Sequence, residues 1–132
     1  MSEFGFTTTV EPRYSDIDTY EHVNHAVHAT YMEQARMRFF RDAVGQLRID
    51  TVIVNLEVDY ERPIQLTDEV EIGVGVVEIG ETSLTLAYDI RAGGEPAASG
   101  RTTQVILDGG DPTPIPEDWL DALAEHRVDA EA

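Results

Sequence analysis

The 132-residue sequence contains no cysteine and no lysine. Without cysteine there is no disulfide, no thiolate-ligated zinc or iron–sulfur site and no cysteine nucleophile. The absence fits a reducing compartment. No apolar run approaches the roughly 20 residues that cross a bilayer. The first residues, Met1 to Gly5, carry neither the basic segment nor the apolar stretch of a signal peptide. A cytoplasmic protein without membrane association is expected.

The lack of lysine makes arginine the whole cation supply. Nine Arg stand against 26 acidic residues, for a formal net charge of -17. The acidic residues are spread through folded-looking segments, and 42% of the chain is hydrophobic, so this is not a disordered acidic tail. Self-repulsion at this charge opposes compaction, and salt relieves it by screening. Such a composition resembles that of salt-adapted cytoplasmic proteins, and the complete lack of lysine favours that reading over a merely acidic protein. The same field argues against nucleic acid as a partner, because phosphate backbones need a basic patch. The length suits one domain spanning residues 1–132 that buries its own core.

Periodicity divides the chain. Residues 5–14 carry Thr7, Thr8, Thr9, Val10 and Tyr14, a β-branched and aromatic run that predicts a strand. A polar loop follows to about Val23. From Asn24 to Val44, Val27, Tyr31, Ala35, Phe39 and Ala43 recur every four residues, widened by Met32, Phe40 and Val44. That stripe predicts a helix of about 20 residues and about 30 Å. Asn24 is the expected N-cap and Gly45 the stop. Four strands are expected after it, at 51–61, 69–79, 82–91 and 97–107, with turns at Gly80-Glu81 and Gly93-Gly94. The core is expected within about 5–108. Residues 109–132 read as an acidic C-terminal extension in which 117–126 form a short helix, with the last residues loose. Short turns imply antiparallel neighbours. One helix on a five-stranded antiparallel sheet is an α+β arrangement.

The loop before the helix, Arg13 to His25, concentrates Asp16, Asp18, Glu21, His22, Asn24 and His25. A helix start presents unpaired N–H groups and the positive end of a dipole, which can hold a developing oxyanion. A carboxylate beside it can attack a carbonyl or activate water. On composition and spacing alone, capping is the favoured role for these residues. No metal-ligand spacing, phosphate loop or Gly-x-Ser-x-Gly elbow is present, so neither a metal nor a cofactor is expected.

Asp16-x-Asp18, then His22-Val23-Asn24-His25, then Tyr31-Met32-Glu33-Gln34-Ala35-Arg36 resembles the signature of the 4-hydroxybenzoyl-CoA thioesterase family, in particular its acyl-CoA thioester hydrolase branch. The Asp-x-Asp and His-Val-Asn pattern is also similar to the acyl-ACP thioesterases. Asp59 to Ile64 and Asp68-Glu69-Val70 resemble a further segment of the family, and the likeness covers roughly residues 6–108.

The resemblance implies a hotdog fold, a sheet wrapped around one long central helix. It implies a homodimer or homotetramer with active sites at the subunit interface, and hydrolysis of an acyl-CoA thioester to a free acid and CoA. Carried over residue by residue, Asp18 is the catalytic carboxylate, as nucleophile or as general base. His25 is the second catalytic residue: the helix-start N–H near it polarises the thioester carbonyl, and its imidazole helps to orient water or substrate. His22, Asn24 and Tyr31 are the candidate substrate-binding residues, although His22 and Asn24 equally suit a loop-holding role, and Tyr31, with Met32 and Phe39, reads as helix core. Asp16 reads as structural and His28 as a packing or interface residue. Arg62, Arg91 and Arg101 are candidates for CoA phosphates. Thr19-Tyr20-Glu21 departs from the branch, which carries small residues there, often glycines. A non-catalytic acyl-CoA or acyl-carrier binding module is the alternative; a hotdog dehydratase ranks last, because no hydratase signature is present.

Overall fold

A computed structural model describes residues 4–129. Strand β1 (Phe6–Val10) leads through a short 3-10 turn to helix α1 (Val27–Phe39), which continues as a π-helical turn over Phe40–Val44. Strands β2 (Thr51–Tyr60), β3 (Val70–Ile79), β4 (Ser83–Ala92) and β5 (Glu95–Asp108) follow. A short β6 (Asp111–Pro112) turns back on β5, and helix α2 (Leu120–Glu125) comes last.

The strands lie in the order β1-β3-β4-β5-β2, every pair antiparallel. This is the expected α+β hotdog arrangement, with the sheet curled around α1. The β3–β4 and β4–β5 turns are short, and Gly93 and Gly94 both take positive φ, as the tight turn requires. The apolar stripe of α1 faces the sheet: Tyr31, Met32, Ala35 and Phe39 are all buried, against Val74, Leu86, Tyr88 and Ile90. Helix and sheet approach closely at Gly100, where an added Cβ would lie 2.6 Å from Met32 Cε. A side chain there would need the flexible tip of Met32 to move and would press on the Glu57 carbonyl at 3.1 Å.

Three expectations change. The helix begins at Val27, three residues later than expected, and its N-cap is Ala26, with no side-chain cap. Asn24 instead accepts the Ala26 N–H on its own side-chain oxygen (2.9 Å), a local turn that competes with helix. The first strand stops at Val10, because the chain turns at Pro12 and Asp16 ties back to the Arg13 N–H (2.9 Å).

The C-terminal segment is not an appendage to a core at 5–108. Ile115, Trp119 and Leu123 are buried in the core, and Trp119 packs on Phe40 at 5.9 Å. The chain then adds to β3: the Val76 N–H donates to the His126 carbonyl (2.8 Å), and the Val128 N–H to the Val76 carbonyl (2.9 Å). The expected loose end, residues 130–132, lies outside the described residues.

Strand β2 is the exception to burial. Among the described residues it pairs only with β5, and its other edge is open. Val52, Ile53, Val54, Leu56 and Tyr60 are all exposed, with Val54 at 59%. Among the described residues no helix is long and apolar enough to cross a membrane.

Candidate active site

The loop between β1 and α1 is built on Asp16. Its side chain is 3% exposed and accepts three hydrogen bonds: from the Arg13 N–H, from Arg13 Nη2 (3.2 Å) and from the Tyr31 hydroxyl (2.7 Å). Burial pushes this carboxyl up. The Arg13 amide, the Tyr31 hydroxyl and the Arg13 guanidinium outweigh it, and the net shift is downward. Tyr31 is pushed up in turn, by its own burial and then by Asp16. The Asn24 N–H donates to the Asp16 carbonyl (2.8 Å), and Ile17 bridges Val23, so the loop closes as a small hairpin.

Asp18 sits at the tip of that hairpin. Its N–H donates to the His22 carbonyl (3.0 Å), and its own carbonyl accepts the Glu21 N–H (3.0 Å). The carboxylate is oriented from both sides: Oδ1 accepts the Tyr20 N–H (2.9 Å) and Oδ2 the Asn24 side-chain amide (3.4 Å). Glu21 takes φ of 67°, the left-handed region that favours glycine. The turn therefore keeps a glycine-like shape without the glycine.

At the helix start the amides are nearly all engaged. Ala26 donates to the Asn24 side chain, Val27 to the Asn24 carbonyl (2.9 Å) and His28 to the His25 carbonyl (3.4 Å). Among the described residues the His25 N–H alone in this stretch has no acceptor. The His25 carbonyl accepts the Tyr60 hydroxyl (2.7 Å), which fixes the turn against the end of β2.

Asp18, His22 and His25 line one open cleft of about 510 Å³, with Tyr20 and Val23 from the same loop. His28 from α1 and Tyr60 to Pro63 from the end of β2 complete it. Arg62 is its one cation, and its guanidinium is paired with Glu95. Arg91, on β4, pairs with Asp89 at 2.9 Å and does not line the cleft. Among the described residues no cluster of three or more His, Asp or Glu is arranged to hold a metal ion.

The sequence-derived residues separate here. Asp18, His22 and His25 come together at the cleft. Asn24 acts on the Asp18 carboxylate and is not a lining residue. Tyr31 is 2% exposed, does not line the cleft and spends its hydroxyl on Asp16. His28, read as packing, is a wall of the cleft. Of Tyr60 to Pro63 only Arg62 is a candidate from the sequence, for CoA phosphates; the family resemblance of Asp59 to Ile64 is the signal that could have found the others. A larger groove of about 1020 Å³ lies toward the other end of α1, between Met37, Leu47 and Thr51. None of Asp18, His22 or His25 lines it.

The curled antiparallel sheet around one long helix is a hotdog fold. Residues 12–123 match the thioesterase-like superfamily, and the chain belongs to that family. The chain is similar to a Thermus thermophilus thioesterase, solved in complex with coenzyme A and Zn. The two are 40% identical with a TM-score of 0.85, over 91% of this chain and 98% of that one. A predicted thioesterase of Bacillus stearothermophilus is 32% identical, with a TM-score of 0.86, over 94% and 97% of the two chains. The uncharacterized protein YsmA of Bacillus subtilis is 29% identical, over 79% of this chain and 74% of its own length.

Proposed function

We propose that this chain hydrolyses an acyl-CoA thioester to a free carboxylic acid and CoA in the Asp18 cleft. One observation carries the reading: an oriented carboxylate and a helix start with an unspent N–H border the same cavity. Asp18 drives the attack on the thioester carbonyl carbon, directly or through a water whose proton it takes. Charge collects on the carbonyl oxygen, and the His25 N–H, at the positive end of the α1 dipole, donates to it as it becomes an oxyanion. Collapse breaks the C–S bond and CoA leaves as the thiolate. If Asp18 itself attacks, water then cleaves the acyl–aspartyl anhydride. His22 borders the substrate, and Asn24 and Tyr20 hold the carboxylate in line. CoA as the donor is supported by the CoA complex of the Thermus thioesterase.

The working unit in this reading is a homodimer joined along β2. An open strand edge carrying Val52, Val54 and Leu56 exposed is the kind of surface that a second copy covers by antiparallel pairing. The two-fold axis then brings each cleft beside the partner subunit.

The test is CoA release from acyl-CoA esters, detected as free thiol, by wild type and Asp18→Asn. The variant keeps the side-chain shape and a hydrogen-bond acceptor. Its turnover should fall by about 100- to 10,000-fold with folding intact. Wild-type rates in the variant refute the assignment. Binding without turnover in both proteins would instead support a carrier module.

A further inference from the structure

An amide that meets an oxyanion must already be aimed at it, because turning it during the reaction forfeits the gain. The His25 N–H lies between two peptide units that are held. On one side the Asn24 N–H donates to the Asp16 carbonyl (2.8 Å). On the other side the peptide joining His25 to Ala26 is held at both ends. Its N–H donates to the Asn24 side-chain oxygen (2.9 Å), and its carbonyl accepts the Tyr60 hydroxyl (2.7 Å). No side chain caps the helix here.

All of these ties but one begin and end within the loop and the start of α1. Among the described residues, the Tyr60 hydroxyl makes the one hydrogen bond that residues 25–28 receive from outside the loop and α1. The sheet sets where that hydroxyl stands. Tyr60 is the last residue of β2 and pairs with Ala98, and the Glu61 and Arg62 N–H groups both donate to the Ala97 carbonyl (2.9 and 3.1 Å). Its ring meets His28 edge-on at 4.9 Å and His25 at 6.3 Å. Four residues on, the Ile64 carbonyl accepts the Val23 N–H (2.8 Å), so the chain at 60–64 grips the loop at two points. Groups referenced to strands keep their geometry more closely than groups on loops. The one proton of the hydroxyl is spent on the His25 carbonyl, so Tyr60 is not itself a donor to the oxyanion.

We propose that Tyr60 is a positioning residue for thioester hydrolysis: its hydroxyl ties the His25–Ala26 peptide to the end of β2 and so holds the His25 N–H toward the reacting carbonyl. This rests on the thioesterase reading above. The carboxylate does not depend on the tie, because Asp18 is held by the Tyr20 N–H and the Asn24 side-chain amide. Loss of the hydroxyl therefore weakens the oxyanion contact, which is strongest in the transition state, and leaves substrate binding and the attack driven by Asp18 in place. The signature is a fall in kcat without a rise in KM.

The experiment compares wild type, Tyr60→Phe and a protein carrying 4-aminophenylalanine at position 60, all on butyryl-CoA. Phe keeps the ring against His25 and His28 and removes the hydroxyl. The amino group restores a donor at the same reach. In the Phe variant kcat should fall about tenfold with KM within about twofold of wild type, and the amino ring should restore most of the loss. An unchanged kcat, a fall that the amino group does not restore, or a loss carried by KM overturns the proposal. A second measurement needs no turnover. The His25 amide proton resonance should move downfield when wild type binds a ketone analogue of butyryl-CoA with CH2 in place of the sulfur, and should move much less in Tyr60→Phe. No movement in wild type, or the same movement in both proteins, overturns the proposal. A wild type that hydrolyses nothing yet shows a movement that depends on Tyr60 sinks only the thioesterase reading.

Discussion

Removing one oxygen from Tyr31 should weaken the protein in a way that acid erases. Tyr31→Phe keeps the ring packed in the core and deletes the 2.7 Å hydrogen bond to Asp16. Both residues are buried, so no bulk water replaces the lost donor. A hydrogen bond to a charged group contributes about 1.5–3 kcal/mol, and we take about 2 for this pair. Unfolding entropy of about 2.1 cal/mol/K per residue over 132 residues gives about 7 °C of lost Tm. The assay is urea unfolding at fixed protein concentration, because dimerisation would otherwise shift the midpoint. The pH dependence carries the sign. Asp16 is held below its ordinary range in the folded state, partly by Tyr31. Its contribution is therefore complete above the unfolded value of about 3.9, and it is lost as pH falls through the lower folded value. The gap between wild type and variant should be full at neutral pH and narrow below about pH 4. A loss under about 0.5 kcal/mol at neutral pH, or a gap that ignores acid, refutes the role given to this pair.

Three other outcomes are expected. Glu21→Gly should stabilise by about 0.5 kcal/mol, since relief of the left-handed φ of about 1–2 kcal/mol exceeds the added freedom of the unfolded glycine; a lowered Tm contradicts the strain. Raising KCl from about 0.1 to about 1 M shortens the Debye length from about 10 to about 3 Å and should raise the Tm of a chain at -17; a flat or falling Tm would show that self-repulsion does not limit stability. Leu56→Arg places a charge on the open edge of β2 and should give a monomer by light scattering with lost thioesterase activity; an unchanged dimer moves the interface elsewhere.

Much of the fold could be read because its signals are local. The four-residue spacing from Val27 to Phe39 gave α1, and Gly45 at φ 83° ends the helical stretch as expected. Alternation in β3 and β4 gave strands within a residue or two of their bounds. The loop residues Asp18, His22 and His25 meet because they are close in sequence. Tyr60 to Pro63 join them only through strand register, which periodicity does not encode. Tyr31 shows the opposite limit, since its place on the stripe fixed its burial but not the Asp16 carboxylate that its hydroxyl would find. On β2 the apolar residues were legible as a strand, but their exposure in the folded chain was not. Trp119 and Leu123 sit four apart in a stretch so acidic that its core-facing side went unseen.

That last stretch bears on the order of events at the ribosome. Trp119, Leu123 and the 126–128 strap are the final pieces of the described core, and Val128 lies so close over Gly75 that an added Cβ there would fall 2.5 Å from it. While β5 is emerging, these residues are still inside the exit tunnel. The nascent sheet and α1 are left with Phe40 and the side of β3 under Val128 bare until residues 119–128 emerge. The sheet and α1 can therefore form before the core is closed, and closure waits for residues 119–128.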